Sequence, residues 1–486
     1  MDTPQTPSAP LRLGGRLRRL RQEARLTQAQ MAERLAISPS YLNLLEHNQR
    51  PVTVPVLLKL AQRFEIDLQR FTAEPDGHLG SELMEVFADP LFDGHELRAA
   101  DLAEWATGAP HVARAVLTLY QAYRGHRAPS RPADERGEEA GDTLPVGMPT
   151  EEVADFLQTR GNHFKELESA AEALRAEAGL AGDNPFPALV AHLSQRYAVD
   201  VEVRPALANE PWLRRYDPKT RRLQLSELLP LASRSFQLAH QLAHLAIAPL
   251  LERLVAGGKF TTVEADALAR IALASYFAAA VLMPYEPFLA AARATRYDIE
   301  LLEHRFGVSF EQVCHRLTTL RRPGAEGVAF HLVRVDVAGN ISKRFSASGI
   351  TMPRFGAACP RWNVYDAFAT PGLIRTQISR MPDGASYFCI ARTVAASGRL
   401  QRARPVRGPA RHAIGIGCAL SAARELVYAD GLALDDEDAV MPIGVSCRTC
   451  PRTDCADRAL PALHTRFAID ENRRSLTAFM TGGEGD

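Results

Sequence analysis

From Gly14 to about Phe71, apolar residues recur at helical spacing and are broken by short polar turns. Thr27 is placed to cap a helix over Gln28–Leu35, and Ser38 with Pro39 starts another. Between them lies a three-residue turn, Ala36-Ile37-Ser38, so the pattern predicts two short helices crossing steeply. Ala32, Ile37, Leu42 and Leu45 fall where their mutual packing would fix that crossing. Helical periodicity returns from Glu151 to about Arg322, as in EEVADFLQTRGNHFKELESAAEALRAEAG, with a strand-like interlude at Val199–Val203 and a hairpin arm expected at Arg221–Leu225. From Gly327 the texture changes to strand and turn. GVAFHLVRVDVAGNIS predicts a strand running into a Gly-Asn turn, ASYFCIARTVA a second strand, and AIGIGCALSAARELVYAD a strand followed by a helix. Residues between His126 and Pro149, rich in Pro, Gly and charge, predict a linker.

Length and composition fit this division. A chain of 486 residues should hold two to four domains, and 46% hydrophobic with 23% charged content is ordinary for a globular protein. Formal net charge is zero, so any affinity for nucleic acid must come from local charge. The uncharged apolar stretch Ile271–Met283 is too short to span a bilayer, and the N-terminus lacks a signal-peptide pattern. No membrane association is expected, and cytoplasmic residence is. There, seven cysteines point to thiols or metal ligands rather than disulfides.

Charge is concentrated in the first segment. Arg12 to Arg50 holds eight arginines against three glutamates. Arg16, Arg19 and Arg50 can reach phosphates, and Gln28 can bond the DNA backbone from a helix N-terminus. Ser38, Ser40, Tyr41 and Asn43 open the second helix of the pair and can point into a major groove. The order TQ-x3-A-E-x-L…S-x2-Y-L-x2-L-E resembles the lambda-repressor/Cro-like helix-turn-helix domain, which implies a double-stranded operator and a two-fold-related dimer. An ordinary helical bundle with a solvated basic face is the competing reading.

In the middle segment, His240 and His244 lie four residues apart in SFQLAHQLAHLAIAPL, on one side of a helix, as zinc hydrolases place metal ligands. Hydrolysis needs a base after the first histidine, and that position is Gln241, which cannot shuttle a proton. Together with YFAAAVLMP (Tyr276–Pro284), the order resembles the ImmA/IrrE metallopeptidase family. The resemblance implies a zincin-like fold with a third, glutamate ligand about five residues before Tyr276. Ile271 stands there, and Glu264 and Asp266 come too early. His240 and His244 therefore read as a vestigial zinc site with no catalytic residues, against a weak metal site or a surviving hydrolase.

In the last segment, SCRTCPRTDC gives Cys447, Cys450 and Cys455, a C-x2-C-x4-C cluster flanked by prolines and three arginines, Arg448, Arg452 and Arg458. Three thiolates this close converge readily on one metal centre. With no second C-x2-C pair, an iron–sulfur cluster, [4Fe–4S], is expected before structural zinc or unliganded thiols. Cys359 is the first choice of fourth ligand and Cys418 the alternative, while Cys314 and Cys389 sit in apolar patterns that core burial explains. ISKRFSASG, PRFGAACPRWNVYDAF, MPDGASYF and PIGVSCRTC resemble the sensor domain of the short-chain fatty acyl regulators, and that resemblance then covers nearly the whole chain. It implies control of propionate (methylcitrate) or acetate (glyoxylate) metabolism with acyl-coenzyme A as effector. Coenzyme A needs several cations for its phosphates, and Lys343, Arg344, Arg354 and Arg361 lie within twenty residues of one another. Plain surface charge is the other reading of these four.

The expected fold is thus multidomain. An all-α helix-turn-helix domain spans 10–75 and a helical segment with linker 76–150. A mainly α (α+β), zincin-like domain spans 151–326, and an α+β sensor domain 327–480. The expected function is a dimeric, ligand-sensitive transcription regulator. The alternatives are a DNA-targeted zinc peptidase and a regulator with only structural zinc at its cysteines.

Overall fold

A computed structural model describes the chain except residues 1–13, 25, 47–48, 51, 65–76, 93–100, 103–104, 107–108, 128–147, 181–183, 206–211, 355–357, 396–410 and 463–486. The expected linker and the C-terminal tail fall outside the described residues, as do the side chains of Arg16 and Arg19. The chain forms two compact units, residues 1–120 and 121–486.

The first unit opens with four helices: α1 (Gly14–Glu23), α2 (Gln28–Leu35), α3 (Pro39–Glu46) and α4 (Val54–Phe64). Thr27 caps α2 in a capping box with Gln30, and Ala36 closes it in the left-handed conformation at φ 49°. That left-handed residue turns the chain sharply enough for α3 to cross α2. Leu17, Met31, Ala32, Leu35, Leu42, Leu45, Val56 and Leu60 form a core of their own, with Ile37 packed against it. Lys59 of α4 donates to the Leu35 carbonyl at 2.9 Å, satisfying an end of α2 from across the bundle. Helices α5 (Gly77–Phe87) and α6 (Pro110–Arg127) follow, and the division between units falls inside α6.

The second unit is built on helices α7 (Pro149–Thr159), α8 (Lys165–Glu177) and α9 (Phe186–Tyr197), then strands β1 (Asp200–Arg204), β2 (Arg214–Asp217) and β3 (Arg222–Ser226). The sheet order is β1-β3-β2. The expected arm at 221–225 is β3, but its hairpin partner is β2, and it runs parallel to β1. Helices α10 (Leu231–Ala246), α11 (Ala248–Ala256), α12 (Val263–Leu282), α13 (Tyr285–Ala294), α14 (Ile299–Phe306) and α15 (Phe310–Leu317) complete this half. Among the described residues α12 alone is long and apolar enough to cross a membrane, longer than its uncharged stretch suggested. Its apolar residues from Leu273 to Leu282 are nevertheless core, packed with α10 and α8.

One buried polar network ties this core together. Arg316, with no exposed surface, donates from Nη1 and Nη2 to the Glu168 carboxylate at 2.6 and 2.9 Å. Its Nε donates to the Met283 carbonyl at 2.9 Å, and the Tyr276 hydroxyl donates to Glu168 at 2.6 Å. Helices α8, α12 and α15 are thereby pinned at one point.

The remainder is a six-stranded sheet of order β5-β4-β8-β7-β6-β9. It comprises β4 (His331–Asp336), β5 (Ile341–Ser346), β6 (Arg375–Arg380), β7 (Ser386–Ala395), β8 (Arg411–Ala419) and β9 (Val440–Pro442), antiparallel except where β6 meets β9, with the short helix α16 (Asn363–Asp366) before β6. Period-two alternation gives it two apolar faces. Leu332, Phe388, Ile390, Ile414 and Cys418 join the core of the helical half, while Val333, Ala391 and Ala413 pack with Trp362, Val364 and Ile443. No break in packing marks the expected boundary at 326/327, because one core runs through both halves. The helix expected after β8 is a pair of 3-10 turns, Leu420–Glu425 and Val427–Ala429.

Candidate functional sites

In the first unit, Glu46 is buried at the end of α3 and anchors the crossing. Arg21 of α1 donates to it at 2.7 and 3.2 Å, and Gln28 of α2 at 2.8 Å. Burial pushes the Glu46 carboxyl up, but the bonds from Arg21 and Gln28 outweigh it and hold the group below its ordinary value. Gln28 also reaches Asn43 at 3.2 Å, so its amide serves the helix crossing in the DNA-free protein. The Ser38 hydroxyl accepts from the Tyr41 amide at 3.1 Å and caps α3, and Tyr41 is half-buried against the core. Ser38, Ser40, Asn43 and Arg50 are exposed.

In the second unit, α10 holds His240 and His244 with ring centroids 5.1 Å apart. A third group, which sequence reasoning did not single out, occupies the space beside them. Arg214 of β2 places Nη1 2.6 Å from His240 Nδ1, and the His240 ring also bonds the main chain of Ile271. Burial, then the adjacent Arg214 charge, drives His240 down to about 3, and His244 falls for the same reasons. Arg214 itself falls to about 10 through burial. Both imidazoles are neutral at pH 7, and a fixed cation stands against Nδ1 of His240. Ile271 provides no ligand, and among the described residues no three His, Cys, Asp or Glu side chains converge on a metal-binding point.

The cysteine loop is held by Arg458, which is buried although it was expected only to offset thiolate charge. It donates to the carbonyls of Cys447 at 2.6 Å, Cys450 at 3.0 Å and Leu460 at 3.3 Å, and to that of Arg452. The Cys359 amide donates to the Val445 carbonyl at 3.0 Å, and the Trp362 indole to the Gly444 carbonyl at 3.0 Å. A side chain at Gly444 would meet Cys450 Sγ at 3.0 Å, so the glycine admits that thiol. Burial pushes the Cys359 thiol up, and the neighbouring Cys447 and Cys450 add to the rise. Cys418 lies on the other face of the sheet, in the shared core, where burial pushes it up to about 12. Of the two fourth-ligand candidates, only Cys359 is brought to the loop. Thiols are the donors a soft metal favours, but among the described residues no three of them converge on one metal-binding point.

Of Lys343, Arg344, Arg354 and Arg361, only Arg344 and Arg354 are brought together. Lys343 pairs with Glu311 at 3.2 Å, and Arg361 with Asp457 at 2.7 Å. Arg344 and Arg354 bind the α7 carboxylates Glu151 and Asp155. Near them, against the second face of the sheet, is a small cavity of about 20 Å³. Val333, Ile350, Met352, Val364 and Ile443 supply apolar walls, and Asn363, Gln377 and Ser379 supply polar edges. Its His331 is fully buried, Nδ1 2.8 Å from Ser348 Oγ and Nε2 3.6 Å from Cys389 Sγ. Burial drives His331 down to about 3 and Cys389 up to about 12, so neither is charged near neutrality. A side chain at Gly415 would strike Val364 at 2.5 Å, so this strand can line the pocket only with glycine there.

A helix-turn-helix unit, a peptidase-like fold whose histidines face an arginine, and a sheet domain with a pocket and a cysteine loop together define a DNA-binding transcription regulator. The chain belongs to the short-chain fatty acyl coenzyme A regulator family, whose C-terminal domain model matches residues 319–479. An IrrE N-terminal-like domain matches residues 195–318 and a helix-turn-helix domain residues 12–70. The chain is 42% identical to the HTH-type transcriptional regulator PrpR of Mycobacterium tuberculosis, over 95% of this chain and 94% of that one. It is 41% identical to the HTH-type transcriptional regulator RamB of the same species, over 96% and 98%. Identity with a propionyl-CoA carboxylase regulator of Cereibacter sphaeroides is 43%, over 96% and 98%. A solved structure of a Mycobacterium tuberculosis transcriptional regulator matches with a TM-score of 0.64 at 43% identity, covering 69% of this chain and all of that one.

Proposed function

We propose that this chain is a cytoplasmic, dimeric regulator that binds a short-chain acyl-CoA of the propionyl class in its sheet domain and changes its operator affinity in response. The pocket against the sheet carries this reading. Its apolar walls at Val333, Ile350 and Met352 match the chemistry of a short acyl chain, and Asn363, Gln377 and Ser379 that of its carbonyl and thioester end, with the walls parting to admit it. The Cereibacter relative's name supports propionyl-CoA metabolism as the regulated process. Cys359, Cys447, Cys450 and Cys455 would hold an iron–sulfur cluster, which would supply sensitivity to redox state and oxygen. The peptidase reading is set aside because Gln241 stands where a base is needed and Arg214 stands against His240. The test is operator binding by the full chain with acetyl-, propionyl-, butyryl- and palmitoyl-CoA, each with anaerobically and aerobically prepared protein. A shift with the short chains and none with palmitoyl-CoA is expected. No response to any of them would overturn the effector assignment.

A further inference from the structure

The stretch from Arg344 to Arg354 has two sides with different partners. On one side Ile350 and Met352 form pocket wall, and Ser348 contacts the pocket histidine His331 at 2.8 Å. On the other side the same stretch grips α7. Arg344 binds Glu151, and Arg354 binds Asp155 and reaches Glu151 at 3.5 Å. The Gln158 amide donates to the Ser346 carbonyl at 2.7 Å and accepts from its main-chain N–H at 3.0 Å. β5 is an edge strand, so this amide pairs main-chain groups that no neighbouring strand reaches. Helix α7 is the first described element after residues 128–147, which lead in sequence from the DNA-binding unit.

Resting on the acyl-CoA reading above, we propose that this grip on α7 is a clamp that couples pocket occupancy to DNA binding. An acyl chain entering the pocket displaces the wall at Ile350 and Met352. The shift carries Arg354 and Ser346 with it, because they lie in the same short segment. The two arginines and Glu151 have little exposure and Asp155 is half-exposed, so the contact is strong when aligned and weak when displaced, which gives it engaged and released arrangements. The phosphates of a coenzyme A ligand compete for the same two arginines and favour release. Release alters the anchorage of α7, which follows the DNA-binding unit in sequence. Pocket and operator site then bias one element, which is what an allosteric link requires.

The experiment uses the full-length double variant Glu151→Gln/Asp155→Asn, which keeps side-chain shape and removes the charge. Operator affinity is measured with and without propionyl-CoA, and propionyl-CoA affinity separately by calorimetry. In wild type the ligand should change operator affinity by a factor on the order of 5–150. The ligand-free variant should already show the liganded wild-type operator affinity. It should bind propionyl-CoA at least as tightly, and respond to it by no more than about twofold. Exchanging the pair, Asp155→Arg with Arg354→Asp, should restore part of the response and so separates clamp loss from misfolding. A ligand-free operator affinity unchanged from wild type overturns the clamp whatever the ligand does. Absence of calorimetric binding to wild type overturns instead the acyl-CoA reading.

Discussion

Replacing Glu168 by Gln removes one charge from the centre of the second unit and changes almost no volume. In the native protein that carboxylate accepts two bonds from Arg316 and one from Tyr276, and Arg316 has no exposed surface. Glutamine can accept one of the two guanidinium bonds, but its NH2 group then faces a donor, and the Arg316 charge is left unbalanced. Breaking a buried pair on one side costs about 3–5 kcal/mol. With an unfolding entropy of about 2.1 cal/mol/K per residue, a unit spanning 121–486 loses about 1.3 °C of Tm per kcal/mol, so the drop should be about 4–7 °C. Because the first unit has its own core, calorimetry should show its transition unmoved while the larger one falls. The acid dependence has a definite sign. Burial raises the Glu168 pKa, but the Arg316 charge and the hydrogen bonds outweigh it and leave it below its ordinary 4.5. Stability from this group is therefore present above about pH 4.5 and is lost as pH falls through the lower folded value. The difference between wild type and variant should shrink over that acid range. A Tm loss under about 2 °C at pH 7, or a difference that grows on acidification, would refute the reasoning.

Two further outcomes follow from the sites. Cys359→Ser should lose most of the iron and acid-labile sulfide of anaerobically purified protein, whereas Cys418→Ser should retain both. The reverse result would remove Cys359 from the ligand set. Gln241→Glu, supplied with zinc, should hydrolyse no peptide, since Arg214 still holds His240 and Ile271 still offers no ligand. Chelator-sensitive peptide cleavage by that variant would show that the cleft remains a working metal site.

Local patterns carried a large part of this structure. The cap at Thr27, the turn at Ala36 and the apolar positions of α2 and α3 follow from short-range rules of helix start, stop and periodicity, so the helix-turn-helix pair was legible from residues alone. The same holds for β4, β7 and β8, whose apolar and β-branched runs need no knowledge of the partner strand. The two histidines on one side of α10 and the cysteine spacing were likewise visible, because both are fixed by sequence separation along one element.

What stands opposite those residues was decided only by the tertiary structure. Arg214 comes from a strand 26 positions before His240, and no periodicity links the two. Lys343, Arg344, Arg354 and Arg361 looked like one cationic cluster because they are close in sequence, yet folding sends them to three separate sets of carboxylates. Arg458 read as a cation offsetting thiolate charge, yet folding surrounds it with four main-chain carbonyls. The physical reason is common to all three. Periodicity and capping act over a few residues, whereas the partner of a charge depends on which distant segment burial brings beside it.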